Sequence, residues 1–189
     1  MLFDGEMERV RYVIDGVNGA VVAPVLPSVL RADSIVLCVP DESPEVGPEA
    51  QLMLAMEVSG GEGEHARDRW AAWFGPPRSS TWLHASIESA KWEGRLIDDA
   101  IELASSWAAD EAALCRLLNA DRVRLQSACE RARGRATPGT LAVGVDPSGI
   151  DVRTPVSAWP IRVAFGQGQL RSSETAKDFI ERWLQGAAS

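Results

Sequence analysis

The last helix constrains the fold most. Ala176, Phe179, Ile180, Trp183 and Leu184 recur at i, i+3, i+4, i+7 and i+8, which lines up five apolar side chains on one side of a helix. Such a stripe needs a sheet face to cover, and burying each large side chain is worth roughly 1.5–3 kcal/mol. The segments just upstream supply the sheet. Thr140 to Val145 and Ile150 to Arg153 flank Asp146-Pro147-Ser148-Gly149, a four-residue turn with proline and glycine in favourable places, and Ile161 to Phe165 forms a third strand. Ahead of them Asp110 is expected to cap a helix through Leu114, Leu117 and Leu118. Asp121 is expected to cap a second, carrying Val123, Leu125, Ala128 and Ala132 toward Gly134. Ser172 or Ser173 caps the last one.

The first half reads as strands. Arg9 to Ile14 and Ala20 to Ala23 surround Asp15-Gly16-Val17-Asn18-Gly19, whose Asn-Gly favours a tight hairpin. Ser34 to Val39 ends at an acidic, proline-rich loop from Pro40 to Pro48, and Leu52 to Val58 is a fourth strand. Gly60-Gly61-Glu62-Gly63 breaks the chain ahead of a helix over Glu64 to Phe74, which Gly75-Pro76-Pro77 closes. Strict alternation from Trp82 to Ile97 places Trp82, His84, Ser86, Glu88, Ala90 and Trp92 on one face, with a turn or bulge at Glu93-Gly94. The expected class is therefore α+β, with an antiparallel, small-barrel body over residues 1–105 and an α+β module of three strands and helices over 110–186.

Composition excludes several functions. Three cysteines without a Cys-x-x-Cys or Cys/His spacing offer neither a disulfide framework nor a zinc site, and read as buried small hydrophobes. The start lacks a basic lead and an apolar segment, and the apolar run Gly19 to Leu30 is broken by Pro24 and Pro27, short of the ~20 residues that cross a bilayer. A cytoplasmic protein without a membrane span is expected. A formal charge of −8 opposes nucleic-acid binding. That charge is uneven: residues 1–64 hold twelve acids and three arginines, whereas Arg116 to Arg135 holds six arginines against Asp121 and Glu130, so the two regions attract or are simply solvated faces.

Two motifs recur in order near the end: Leu118-Asn119-Ala120-Asp121, then Gly144-Val145-Asp146-Pro147-Ser148-Gly149-Ile150-Asp151-Val152-Arg153. With the Ile-Arg-Val-Ala-Phe strand and the closing amphipathic helix, they resemble the C-terminal domain of split-barrel heme-utilization proteins. That family is similar in fold to pyridoxamine-phosphate oxidases and other FMN-binding split barrels. The resemblance implies an N-terminal antiparallel split barrel, a homodimer with ligand sites at the subunit interface, and heme or FMN as cofactor. A plant relative of the family looks like a non-catalytic binder of a protein partner, so the resemblance offers a regulatory binding role as an alternative. Arg122 stands where members continue Asn-x-Asp with His, and the final residues contain no histidine.

Candidate site residues follow from what each cofactor needs. Heme requires an axial donor, and the histidines are His65 and His84; His84, on the tryptophan-bearing strand, is the candidate iron ligand, with Tyr12 behind it. A flavin phosphate requires converging positive donors, and Lys91 and Arg95 with Arg11 from the first strand are the candidate cradle. Trp70, Trp73, Trp82, Trp92 and Trp107 suit a core, an interface or a stacking wall. No Walker loop, dinucleotide fingerprint, nucleophile elbow or zinc-protease helix occurs, and Asp98-Asp99 reads as a turn. Whether the protein is an enzyme stays open at this level; the rivals are an FMN-dependent oxidoreductase and a regulatory binding protein.

Overall fold

The computed structural model describes residues 1–39, 50–56, 63–97, 103–105, 107–135, 137–157, 159–165 and 173–186. The expected Pro40–Pro48 loop, the Gly60–Glu62 break, the Asp98-Asp99 turn and the Ser172 cap lie outside them. The class is α+β with antiparallel strand pairing, and the chain divides into two compact units. The first holds Met1–Ala71 and Gly75–Ala104, and the second holds Ala72–Phe74 and Ser105–Ser189.

In the first unit β1 (Leu2–Phe3), β2 (Glu6–Met7), β3 (Val13–Ile14), β4 (Val21–Pro24), β5 (Ile35–Val39), β6 (Ala50–Met56), β7 (Trp82–Trp92) and β8 (Arg95–Ile97) make one antiparallel sheet. Its order is β2-β1-β5-β6-β7-β4-β3, with β8 added on β7, and among the described residues this path does not return on itself. The β1–β2 hairpin was not expected. Its turn is Asp4-Gly5, both at positive φ (45° and 84°), a pair that matches the twist of a tight hairpin. Glu93-Gly94 repeats that geometry between β7 and β8, so the expected turn is a turn and the strand alternation ends there.

One sheet face buries Val21, Ala23, Ile35, Leu37, Leu54, Leu83 and Ala85 with Met1, Phe3 and Val29. Strict alternation along β7 fails at one point. Met53 pairs with Ser89 and Leu54 with Ile87, so Glu88 is an extra residue and every later side chain changes face. Ala85, Ile87, Ala90 and Trp92 thus face one way, and His84, Ser86, Ser89 and Lys91 the other. Helix α1 (Glu64–Phe74) lies against the His84 side: Trp70 Nε1 donates to the Arg11 carbonyl at 2.7 Å, its ring meets Trp82 edge to face, and Arg67 stacks over Trp82.

In the second unit α2 (Ala108–Asn119) and α3 (Arg122–Arg133) precede β9 (Leu141–Asp146), β10 (Gly149–Arg153) and β11 (Ile161–Ala164), which pair in the order β11-β10-β9. Helix α4 (Ser173–Gln185) closes the unit. Its stripe is buried as its spacing requires: Ala176 and Ile180 are fully enclosed, and Trp183 packs edge to face on Phe165. Asp121 caps α3 by accepting the Arg124 amide at 3.0 Å. Asp110 does not cap α2, which starts two residues earlier with Trp107 at its cap; Asp110 sits in the first turn, where a carboxylate still favours the positive helix end. Among the described residues no helix is long and apolar enough to cross a membrane.

Candidate functional site

The β3–β4 turn brings a carboxylate to the imidazole of β7. Asp15 and His84 are 5% and 8% exposed, and Asp15 Oδ2 lies 3.6 Å from His84 Nε2. The turn itself holds the acid in place, because Asp15 Oδ1 accepts the Val17 amide at 2.9 Å and the Asp15 amide donates to the Ala20 carbonyl at 2.7 Å. Asn18 completes the cluster: its Oδ1 accepts the Ala20 amide at 3.0 Å, which turns its Nδ2 to within 3.5 Å of the same ring nitrogen. Nε2 therefore has a partner in either state, an amide donor when bare and a carboxylate when protonated. Sequence reasoning read Asp15 only as a turn residue, since its partner is far along the chain.

Gly63, at the start of α1, closes the ring from another side. Its φ is +103°, and a Cβ there would lie 3.1 Å from His84 Cδ2. An axial ligand must present a bare nitrogen to a flat macrocycle. Here Nε2 faces Asp15 and Asn18 and the ring edge lies on Gly63, so His84 as placed does not fit iron coordination through Nε2. Tyr12 does not replace it: it packs against the first unit's core, and burial raises its phenol above the ordinary value, which disfavours the phenolate that iron needs. His65 is exposed on the first turn of α1. Among the described residues no three His, Cys, Asp or Glu side chains gather as a metal-binding group.

The expected phosphate cradle is split within this chain. Lys91 shares the His84 face, whereas Arg95 pairs with Trp92 and leaves on the opposite one. Arg11 is exposed in the segment before β3, where its carbonyl anchors Trp70. What the β7–β8 hairpin does expose is apolar surface on both faces: Trp92 and Ile97, 48% and 36% exposed, share one face with Arg95, and Leu96, 64% exposed, shares the other with Lys91.

The residues that carry the family resemblance hold the second unit together. Asn119 Nδ2 donates to the Ala142 carbonyl and its Oδ1 accepts the Ala142 amide, both at 2.9 Å. Glu111 accepts the Val145 amide at 3.2 Å, and Trp73 Nε1 donates to the Val143 carbonyl at 2.8 Å, so three side chains satisfy the outer edge of β9. Asp146 accepts from the Ser148 amide and hydroxyl at 2.7 and 2.8 Å and pairs with Arg162, which also reaches Asp151 at 3.3 Å. Burial pushes the Asp146 carboxyl up, but bonds from Arg162 and Ser148 outweigh it and leave its pKa below the ordinary value. Burial likewise acts against the Arg162 charge, and Asp146 and Asp151 overcome it and raise its pKa. Cys129 lies in the second unit's core, where burial, helped by Glu130 and opposed by Arg133, pushes its thiol up to about 11.

No family model matches the chain, and no curated protein matches it in sequence. Among solved structures it is similar to the protein Atu2129, of unknown function, from Agrobacterium tumefaciens str. C58. The TM-score is 0.60 over 92% of this chain and 81% of that one, at 17% identity, which identifies a shared α+β fold. A heme binding protein from Mycobacterium smegmatis aligns over 94% of this chain and 84% of its own at 20% identity, with a TM-score of 0.38, too low to establish a common fold.

Proposed function

We propose that this chain is a binding protein on the split-barrel plan of the heme-utilization type, that it works as a homodimer, and that it acts by association rather than catalysis. The observation that carries this reading is the β7–β8 hairpin. Trp92 and Ile97 stand in water beside Arg95 on one face of it and Leu96 beside Lys91 on the other, and tryptophan and arginine are the residues on which association energy concentrates. The order of the Asn-x-Asp and Asp-Pro-x-Gly motifs supports the family plan, and the fold shared with Atu2129 is compatible with it. In this reading the barrel body spans residues 1–105 and the α+β module 110–186. Heme and FMN are the rival ligands that the resemblance implies; the enclosed Asp15–His84 pair weighs against the first and the divergence of Lys91 and Arg95 against the second.

Analytical ultracentrifugation tests the proposal. The wild-type chain is expected to sediment as a dimer and Trp92→Ala/Leu96→Glu at the 20.4 kDa of one chain, with an unchanged circular-dichroism spectrum. A wild-type monomer at micromolar concentration, or a dimer indifferent to both substitutions, overturns the assignment of the hairpin.

A further inference from the structure

Arg131 is held in one orientation by a contact that uses only part of it. Its Nη2 donates to the carbonyls of Trp183 at 3.1 Å and Leu184 at 3.2 Å, at the end of α4. Among the described residues it has no carboxylate partner. A guanidinium fixed in this way still offers its remaining N–H groups in a planar fork, and less rotamer freedom is lost when an anion arrives. Beside it Phe165 and Trp183 pack edge to face, with ring centroids 5.4 Å apart. Ala128, Ala132 and Gly186 add little bulk below. The result is a cleft of about 370 Å³ within the second unit, at the lower end of the ~300–1,000 Å³ of small-molecule sites.

We propose that this cleft binds a small planar aromatic acid. The ring system lies against the Phe165/Trp183 wall over the alanine and glycine floor, and the carboxylate meets the Arg131 guanidinium. Each part selects one property. The small floor leaves a slot for a flat body, the aromatic edges supply the apolar contact, and the fixed cation distinguishes a carboxylate from a neutral isostere. A cationic ligand meets repulsion from the Arg131 guanidinium instead. The cleft is built by residues of the second unit and the β7–β8 hairpin by residues of the first, so neither proposal depends on the other.

The probes are 1-naphthoate and 1-naphthamide, titrated calorimetrically into the full chain. The acid is expected to bind at least about tenfold more tightly than the amide, the contrast of one charge-assisted contact. Arg131→Gln should bring the acid down to the amide's affinity. Because that variant also removes contacts to α4, Ala132→Leu supplies the second arm: it fills the floor while leaving the Arg131 bonds to Trp183 and Leu184, and it should weaken both probes at least tenfold. Equal affinity for acid and amide in the wild type, an Ala132→Leu variant that binds as the wild type does, or no heat from either probe up to about 1 mM each overturns the proposal.

Discussion

Asn119 grips Ala142 with both ends of its amide, donating to the carbonyl and accepting from the N–H of the same residue at 2.9 Å. This is what a neighbouring strand would do, and it comes from the end of α2. The first residue of the Asn-x-Asp motif thus stands in for the strand that β9 lacks, while the last caps α3. Asn119→Asp keeps the acceptor but turns the donor into a second acceptor facing the Ala142 carbonyl. It should therefore cost more than Asn119→Ala, about 2–4 kcal/mol against about 1–3, because a buried carbonyl then faces a carboxylate instead of going unpaired. Urea denaturation of the two variants checks the order; a milder effect for the aspartate contradicts the strand-substitute role.

The Asp146–Arg162 pair makes the second unit sensitive to acid. The folded carboxyl titrates below its unfolded value, so the unfolded chain takes up the proton first as pH falls. The stabilisation is accordingly present above the unfolded value of ~3.9 and is lost as pH drops through the folded one. Asp146→Asn should flatten the loss of stability below about pH 4 relative to the wild type, read as thermal midpoint against pH. Both side chains are more than one-third exposed, so the effect is modest and should shrink in high salt. A profile identical in the two proteins would show that the pair contributes nothing.

Thiol reactivity provides an independent check on the second core. Cys129 is fully buried and its thiol is pushed up to about 11, so at pH 8 it is protonated and out of reach. Cys38 is buried as well, and Cys115 is partly exposed. Ellman's reagent should label Cys115 first in the native protein and reach the other two only on unfolding. The Cys115→Ser variant should then react slowly until denaturant is added; rapid labelling of Cys129 would place that thiol outside the core.

Local signals were legible and distant ones were not. The α4 stripe, the α3 cap and the Asp146-to-Gly149 turn are encoded within a few residues of each other, and each forms as its spacing demands. Asp4-Gly5 was an equally good turn signal, but it joins strands of only two residues, too short to show alternation. The faces of β7 were misjudged because alternation is a rule about pairing: the Glu88 bulge is defined by Met53 and Leu54 on the neighbouring strand, and nothing in the β7 sequence marks it. The same limit applies to the site. His84 was visible as a rare imidazole on a strand, whereas Asp15, Asn18 and Gly63 reach it only through tertiary contacts. The family motifs turned out to serve architecture, which is why they could indicate a fold without indicating a ligand.

The enclosure of His84 yields the test that separates structural from cofactor roles. With Nε2 between Asp15 and Asn18 and the ring edge on Gly63, the imidazole is part of the packing beneath α1. Gly63→Ala puts a methyl group 3.1 Å from His84 Cδ2 at a φ of +103°, so two costs combine: the strained backbone and the displaced ring. A loss of about 1–3 kcal/mol is expected, and His84→Ala should relieve the steric part, making the double variant less unstable than the single losses predict. Hemin titration of the wild type and His84→Ala reads the other role. If His84 is a packing residue, the Soret region of the two mixtures should coincide; a sharp band in the wild type that disappears in His84→Ala would mean that the Asp15–His84 pair opens to iron, and the imidazole would have to be reassigned as a ligand.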